Sequence, residues 1–246
     1  MLVPVVLGGC QIPSFGAYRG STTQGQTAFK LWQGFFIAGL VIGGIVGLLI
    51  LWAVLRYRKK SDTIPPQTQY HRVIEIAYTV IPILIVAVLF AFTFVAENKV
   101  TAISEGEQVT VNVTAFQWGW EFQYPQYSGV KVIGIETQAP QMVVPAGETI
   151  RIFLRSNDVI HGFYVPQFNY SEYAQPGRTN QFDLNIVHTG VYRGQCTQFC
   201  GLYHSLMLFS VRAVTPSQFQ SWTQQQSASN SASISALKKQ AAKGDS

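Results

Sequence analysis

Charge is scarce in this sequence. Only 12% of its 246 residues are Asp, Glu, Lys or Arg, against about 25% in ordinary soluble domains. A chain so poor in charge and 48% hydrophobic is not a typical water-soluble globule. Cysteine is scarcer still: three residues, Cys10, Cys196 and Cys200, too few for a disulfide-built scaffold. No Cys-x-x-Cys-His run occurs, so no haem is attached covalently here. Nor are there the paired Cys-x2-Cys runs of a zinc ribbon.

The missing charge is concentrated in two segments. Leu31 to Leu55 carries none, and Val73 to Ala96 carries one, Glu75. Each exceeds the roughly 20 residues that cross a bilayer, so both read as membrane spans. The connection between them opens Arg56-Tyr57-Arg58-Lys59-Lys60 and ends near Arg72. Basic loops stay on the cytoplasmic side, which puts both termini and everything after the second span outside. The net charge of +5 is therefore a topological signal, and no nucleic-acid partner is expected. Between Val100 and Pro216 eight acids outnumber six bases, a mildly acidic outer domain suited to a cationic partner.

Four regions follow: an N-terminal segment over 1–30, the span pair over 31–99, an outer domain over 100–216, and a tail over 217–246. In the first, Leu7-Gly8-Gly9-Cys10 is similar to a bacterial lipoprotein signal, in which Cys10 would carry lipid. The stretch lacks a positive n-region, and an unmodified thiol is the alternative. In the outer domain, short alternating runs at Gln108–Val113, Lys131–Ile135, Glu148–Leu154, Thr179–Leu184, Gly190–Gln195 and Leu206–Ala213 are punctuated by Gly and Pro. With no helix there long enough for a crossover, they predict an antiparallel sandwich or barrel. His161 is expected to open a further strand. The Gln-, Ser- and Ala-rich tail has little to bury and predicts disorder or marginal helix.

The run Gly194 to Met207 gathers Cys196, Cys200, His204 and Met207 within twelve residues. Thiolate and thioether are soft donors and imidazole is borderline, a set that favours copper or zinc over calcium, magnesium or manganese. Methionine is not a usual zinc ligand, which turns the choice toward copper. A structural disulfide between Cys196 and Cys200 is the rival reading, but it leaves His204 and Met207 unexplained.

With Asp158-Val159-Ile160-His161 upstream and Gln117-Trp118-Gly119-Trp120 before it, the pattern from about Leu31 to Pro216 resembles subunit II of the haem–copper cytochrome c oxidases. The resemblance implies an α+β membrane protein, a two-helix hairpin followed by an all-β, cupredoxin-like Greek-key domain. It implies a binuclear copper centre, CuA. Cys196 and Cys200 would bridge two coppers, His161 and Met207 would complete one, and His204 with the backbone carbonyl of Gln198 the other. Two shared thiolates spread one electron's charge over both metals, and no position stays open for a substrate.

On the same footing Trp118 would take the electron-accepting position under a docked donor. Asp158 would help dock it, and Glu75 would stand at the mouth of a proton-uptake path. As bare residues, Trp118 reads as strand packing and Glu75 as a helix-end carboxylate at the membrane interface. The family's glutamate between the cysteines, a magnesium ligand, is replaced by Gln198, whose neutral amide is the poorer ligand. The implied partners are the haem- and copper-containing subunit I, subunit III, the lipid bilayer, and cytochrome c or a supercomplex cytochrome as donor. The implied function is electron transfer to an O2-reducing, proton-pumping oxidase in a prokaryotic plasma membrane. Rival readings are the CuA subunit of a nitric-oxide-reducing relative, a tethered single-copper carrier, and a quinol-oxidase subunit II. The second thiol counts against the single-copper carrier, and the intact ligand set counts against the quinol oxidase.

Overall fold

The structure is a computed structural model that describes residues 13–59, 61–64 and 67–244, over 232–244 for the course of the backbone only. Cys10 and the lipidation expected of it lie outside the described residues, as does Lys60. The chain forms two compact units, one centred on Lys30–Asn98 and the other joining Tyr18–Phe29 to the chain from Lys99 onward.

The first unit contains the apolar body of α1 (Thr23–Arg56) and α2 (Arg72–Val100), both long and apolar enough to cross a bilayer. Arg56 in the last turn of α1 and Lys99 in that of α2 complement the negative ends of the helix dipoles. The start of α2 is capped from both sides. His71 Nδ1 accepts the Ile74 N–H at 3.4 Å, and the Glu75 carboxylate accepts the His71 N–H at 3.0 Å, a relative of the capping box. Large apolar side chains such as Leu48, Leu55, Val73 and Phe90 are exposed, as residues that face lipid tails are.

The second unit is a sandwich of two five-stranded sheets. One runs in the order β3 (Lys131–Ile135), β2 (Gly119–Gln123), β1 (Val109–Phe116), β5 (Thr149–Ser156), β8 (Asn180–Asn185). The other runs β4 (Gln141–Pro145), β10 (Leu208–Val214), β9 (Gly190–Cys196), β6 (His161–Val165), β7 (Tyr170–Ala174). Alternation puts Val109, Val111, Val113 and Ala115 of β1 inside, with Thr114 buried on the opposite face. They meet Trp120, Phe122, Ile152, Leu154, Phe163, Phe182 and Phe209. The Phe163 and Phe209 rings stack across β9, centroids 4.7 Å apart. Each such side chain contributes about 1.5–3 kcal/mol by leaving water.

The expected purely antiparallel pairing needs correction: β1 pairs β5 and β4 pairs β10 in parallel. Strands joined through the opposite sheet return in the same direction, which is how a Greek-key sandwich closes without crossover helices. Strands β2, β4 and β7 were absent from the alternating runs. Their buried positions are nearly continuous in β4 and irregular in β7, which hides the period of two.

Two further differences lie at the ends of this unit. Helix α1 begins at Thr23, eight residues before the charge-free run, and its first turns lie against the sandwich. Thr22 Oγ1 accepts the Gly25 N–H at 2.9 Å, Ser21 N donates to Gln167 O at 2.8 Å, and Val187 N donates to Ser21 O at 2.9 Å. A Cβ at Gly25 would fall 1.9 Å from the carbonyl oxygen of Phe168, so only glycine fits. The tail is the helix α3 (Pro216–Gly244). Its first turns bury Phe219 against Tyr124 and Tyr127, with ring centroids at 6.2 and 5.5 Å.

Candidate metal centre

Three segments converge at one end of the sandwich. β6 begins with His161 and β9 ends with Cys196; Phe163 pairs with Cys196 in register, which brings their ends together. The loop from Thr197 to Met207 leaves β9 and returns to β10, pinched at its base by Cys196 N donating to Met207 O at 3.1 Å. A single 3-10 turn over His204–Leu206 turns His204 back toward Cys200. The sites expected from the sequence are thus assembled: His161, Cys196, Cys200 and Met207 are buried, and His204 is half-buried.

The donor atoms form a continuous chain of contacts. Cys196 Sγ lies 3.9 Å from His161 Nδ1 and 3.9 Å from Cys200 Sγ. Cys200 Sγ lies 3.4 Å from His204 Nδ1 and 3.8 Å from Met207 Sδ. The carbonyl oxygen of Gln198 is 3.2 Å from Cys196 Sγ. Both cysteines are free thiols, far beyond a disulfide's bond length of about 2.05 Å. Every one of these separations is under twice a metal–ligand bond of about 2.0–2.3 Å, so neighbouring donors can share an ion without the chain moving. His161, Cys196 and Cys200 form a metal-competent group whose ligand atoms lie within 4.8 Å of one another. Two thiols, two imidazoles and a thioether, enclosed by protein, fit soft copper.

The electrostatics are unequal across the pair of thiols. Burial opposes the Cys196 thiolate, but His161 and the backbone at Gly162 and Gln198 overcome it and bring the thiol down to about 7. Burial and then the charge of Cys196 push Cys200 up to about 12. A pair that resists losing its second proton is one that a bound cation stabilises as dithiolate.

Asp158 is engaged inside the domain. Its carboxylate accepts from His161 Nε2 at 2.8 Å, Val159 N at 2.6 Å, Ser156 Oγ at 3.3 Å and Gln117 N at 2.6 Å. With Nε2 bonded to Asp158, Nδ1 is the ring nitrogen of His161 that faces the thiols and that a metal would take up in place of a proton. Trp118, in the β1–β2 turn and half-buried, donates its indole N–H to Cys200 O at 3.0 Å and meets Tyr203 edge-on at 4.9 Å. Trp120 packs beneath, its ring centroid 6.3 Å from that of His161. Glu75 belongs to the other unit, where it caps α2.

Sequence reasoning missed Gln117, Gly162 and Tyr203. The Gly162 N–H points at Cys196 Sγ at 3.5 Å, and a Cβ there would fall 2.2 Å from Thr197 Oγ1. A glycine directly after a candidate ligand histidine was the available signal for that close approach.

Comparison with known proteins shows the family of the chain. A family model for the periplasmic domain of cytochrome c oxidase subunit II matches residues 109–214, and one for its transmembrane domain matches 17–95. A Streptomyces avermitilis protein named "Probable cytochrome c oxidase subunit 2" is 34% identical over 261 residues, covering 89% of this chain and 82% of the relative. The cytochrome c oxidase subunit 2 of Mycobacterium tuberculosis H37Rv is 32% identical, covering 90% of this chain and 78% of the relative. A crystal structure of the periplasmic domain of a Bradyrhizobium japonicum cytochrome oxidase subunit II aligns with a TM-score of 0.47 at 30% identity, covering 52% of this chain and 99% of that one.

Proposed function

The chain belongs to the cytochrome c oxidase subunit II family, and from that premise we propose that it is the electron-accepting subunit of an aerobic terminal oxidase. The convergence of His161, Cys196, Cys200, His204 and Met207 within contacts of 3.4–3.9 Å carries this reading. With copper bound, the centre exchanges single electrons. Cys196, Cys200, His161, Met207, His204 and the Gln198 carbonyl would hold the copper, with both thiolates shared by the pair. His161, Cys196, Cys200 and Met207 are buried and His204 half-buried, and the ring of protein donors would leave no position for substrate.

Trp118 receives the electron from a reduced cytochrome, because its half-exposed indole is hydrogen-bonded directly to the peptide of Cys200. Asp158 holds His161 in the ligating tautomer and offers its remaining exposed edge, 29% of the side chain, to the donor. Electrons then pass to haem in subunit I, where O2 is reduced to water and protons are pumped; subunit III completes the core. Glu75 serves the proton-uptake path of subunit I. Gln198 offers magnesium an amide oxygen only, so a resident magnesium is not part of this proposal. The basic connection from Arg56 to Arg72 sits in the cytoplasm of a prokaryote, and the copper domain and both termini lie outside the plasma membrane.

The full chain in detergent, loaded with copper, tests this. Two coppers per chain sharing one unpaired electron, read from metal content and the electron-spin hyperfine pattern, support the proposal. One copper or a zinc ion per chain would sink it.

A further inference from the structure

Gln117 stands at the tip of the β1–β2 turn and is exposed, yet it is bonded at both ends. Its side-chain amide donates to the carbonyl oxygen of Cys200 at 2.7 Å, beside the indole N–H of Trp118 on the same oxygen at 3.0 Å. A carbonyl oxygen has two lone pairs, and these donors occupy both. The backbone N–H of Gln117 donates to Asp158 Oδ2 at 2.6 Å, while the other oxygen of that carboxylate holds His161 Nε2 at 2.8 Å. One residue thus ties together the two segments, 158–161 and 196–207, that supply the metal donors. The seat is close. Gly201 has φ +112°, and a Cβ there would lie 3.2 Å from Gln117 Nε2 and 3.1 Å from Trp118 Cζ2. No side chain separates the turn from the ligand loop.

We propose that Gln117 is a positioning residue of the copper centre, one that fixes the Cys200 peptide and sets the potential of the metals it serves. The proposal rests on the copper reading above. An N–H dipole aimed at the peptide of a ligand thiolate favours the more negative, reduced state. Taking the donor away lowers the midpoint potential and loosens the loop that retains the metal.

The bland alternative is a surface glutamine that merely decorates a turn, and the two differ in what a substitution moves. In the copper-loaded full chain, Gln117→Leu removes the donor at similar volume, and Gln117→Glu sets an acceptor against the carbonyl. The expected order, in midpoint potential and in resistance to a copper chelator, is wild type, then Gln117→Leu, then Gln117→Glu. Copper loss in Gln117→Glu is expected to be about 10-fold faster, at the lower end of what outer-shell partners typically control. Equal potentials and equal loss rates in all three overturn the proposal while leaving the copper reading intact. A wild-type chain that takes up no copper pair overturns both. A measurement on the wild type covers variants that fail to fold: the Gln117 side-chain amide protons are expected to exchange slowly with solvent. Exchange as fast as that of a free glutamine overturns the proposal.

Discussion

The Asp158 carboxylate grips the outer nitrogen of His161, Oδ1 to Nε2, at 2.8 Å. That pair makes the aspartate a support for the imidazole before it is anything to a docking partner. Burial alone would raise the Asp158 carboxyl, but His161 and the N–H groups of Gln117 and Val159 outweigh it and hold the carboxyl below its ordinary range. It therefore stays ionised at neutral pH and fixes the proton of the ring on Nε2.

Asp158→Asn keeps the shape and removes the charge. The expected outcome is a copper affinity lower by about 10–100-fold, the usual effect of losing an outer-shell partner of a ligand histidine, measured by chelator competition on the full chain. The salt dependence of electron uptake from a soluble cytochrome is expected to weaken only by the share of this one carboxylate. A large change in that salt dependence with unaltered affinity would instead make docking the main role of Asp158.

The two sulfur chemistries should separate cleanly. Cys196→Ser removes one of the two thiolates proposed to bridge the coppers and is expected to abolish a two-copper centre outright. Met207→Leu nearly conserves volume, which cores tolerate, and is expected to keep both metals while shifting the midpoint potential. Metal analysis and potentiometry on the two variants check this; a Cys196→Ser chain that still binds two coppers with shared spin would refute the bridging assignment.

Legibility in the sequence followed how local each signal was. The spans were readable because charge-free runs such as Leu31–Leu55 need no partner to identify them. The cluster of Cys196, Cys200, His204 and Met207 was readable as a candidate metal site because one loop carries it, and His161 joined it through the family resemblance. The turn at Gln117 was not, because its meaning is an 83-residue reach to Cys200. Nor was the N-terminal seat, where Gly25 looks like any small residue in an apolar helix until Phe168 is seen against it. The parallel pairs β1–β5 and β4–β10 are properties of topology, on which alternation is silent.

Arg151 and Asp183 offer a test by pH. The guanidinium donates from Nε to Asp183 Oδ1 at 2.9 Å and also reaches Glu107 and the Ser104 carbonyl, while Ser104 gives two further donors to Asp183. Burial would raise the Asp183 carboxyl, but Arg151 and Ser104 more than offset it, and the carboxyl is held low. A carboxyl depressed by folding contributes its full stability above the unfolded value of about 4. That contribution is lost as pH falls through the lower folded value. Thermal melts of the wild type are expected to weaken in acid below about pH 4. Asp183→Asn is expected to start about 3–5 kcal/mol lower at neutral pH, as when one partner of a buried ion pair is removed, and to decline less on acidification.

Helix α3 carries the last prediction, because its start contains a signal that composition hides. Thr215-Pro216-Ser217-Gln218 is a capping box: Gln218 N donates to Thr215 Oγ1 at 3.3 Å and Thr215 N donates to Gln218 Oε1 at 3.1 Å. Pro216 takes the first helical position, where its missing N–H costs nothing. One turn on, Phe219 is 2% exposed among Tyr124, Tyr127 and Trp222. Further along, Ser227 Oγ donates to Ser128 O at 2.7 Å and Asn230 reaches Gly129 O, holding the helix to the β2–β3 connection. Low hydrophobicity beyond Gln225 conceals an anchor made by two aromatic residues. Phe219→Ala is expected to destabilise the outer domain by about 3–5 kcal/mol, the usual cost of deleting a buried phenylalanine side chain. Copper content should be unchanged, because the candidate metal donors are carried by β6, β9 and the β9–β10 loop. Denaturant melts paired with metal analysis check both halves. An unchanged melt would mean that α3 does not rest on Tyr124, and lost copper would mean that the tail supports the metal loop directly.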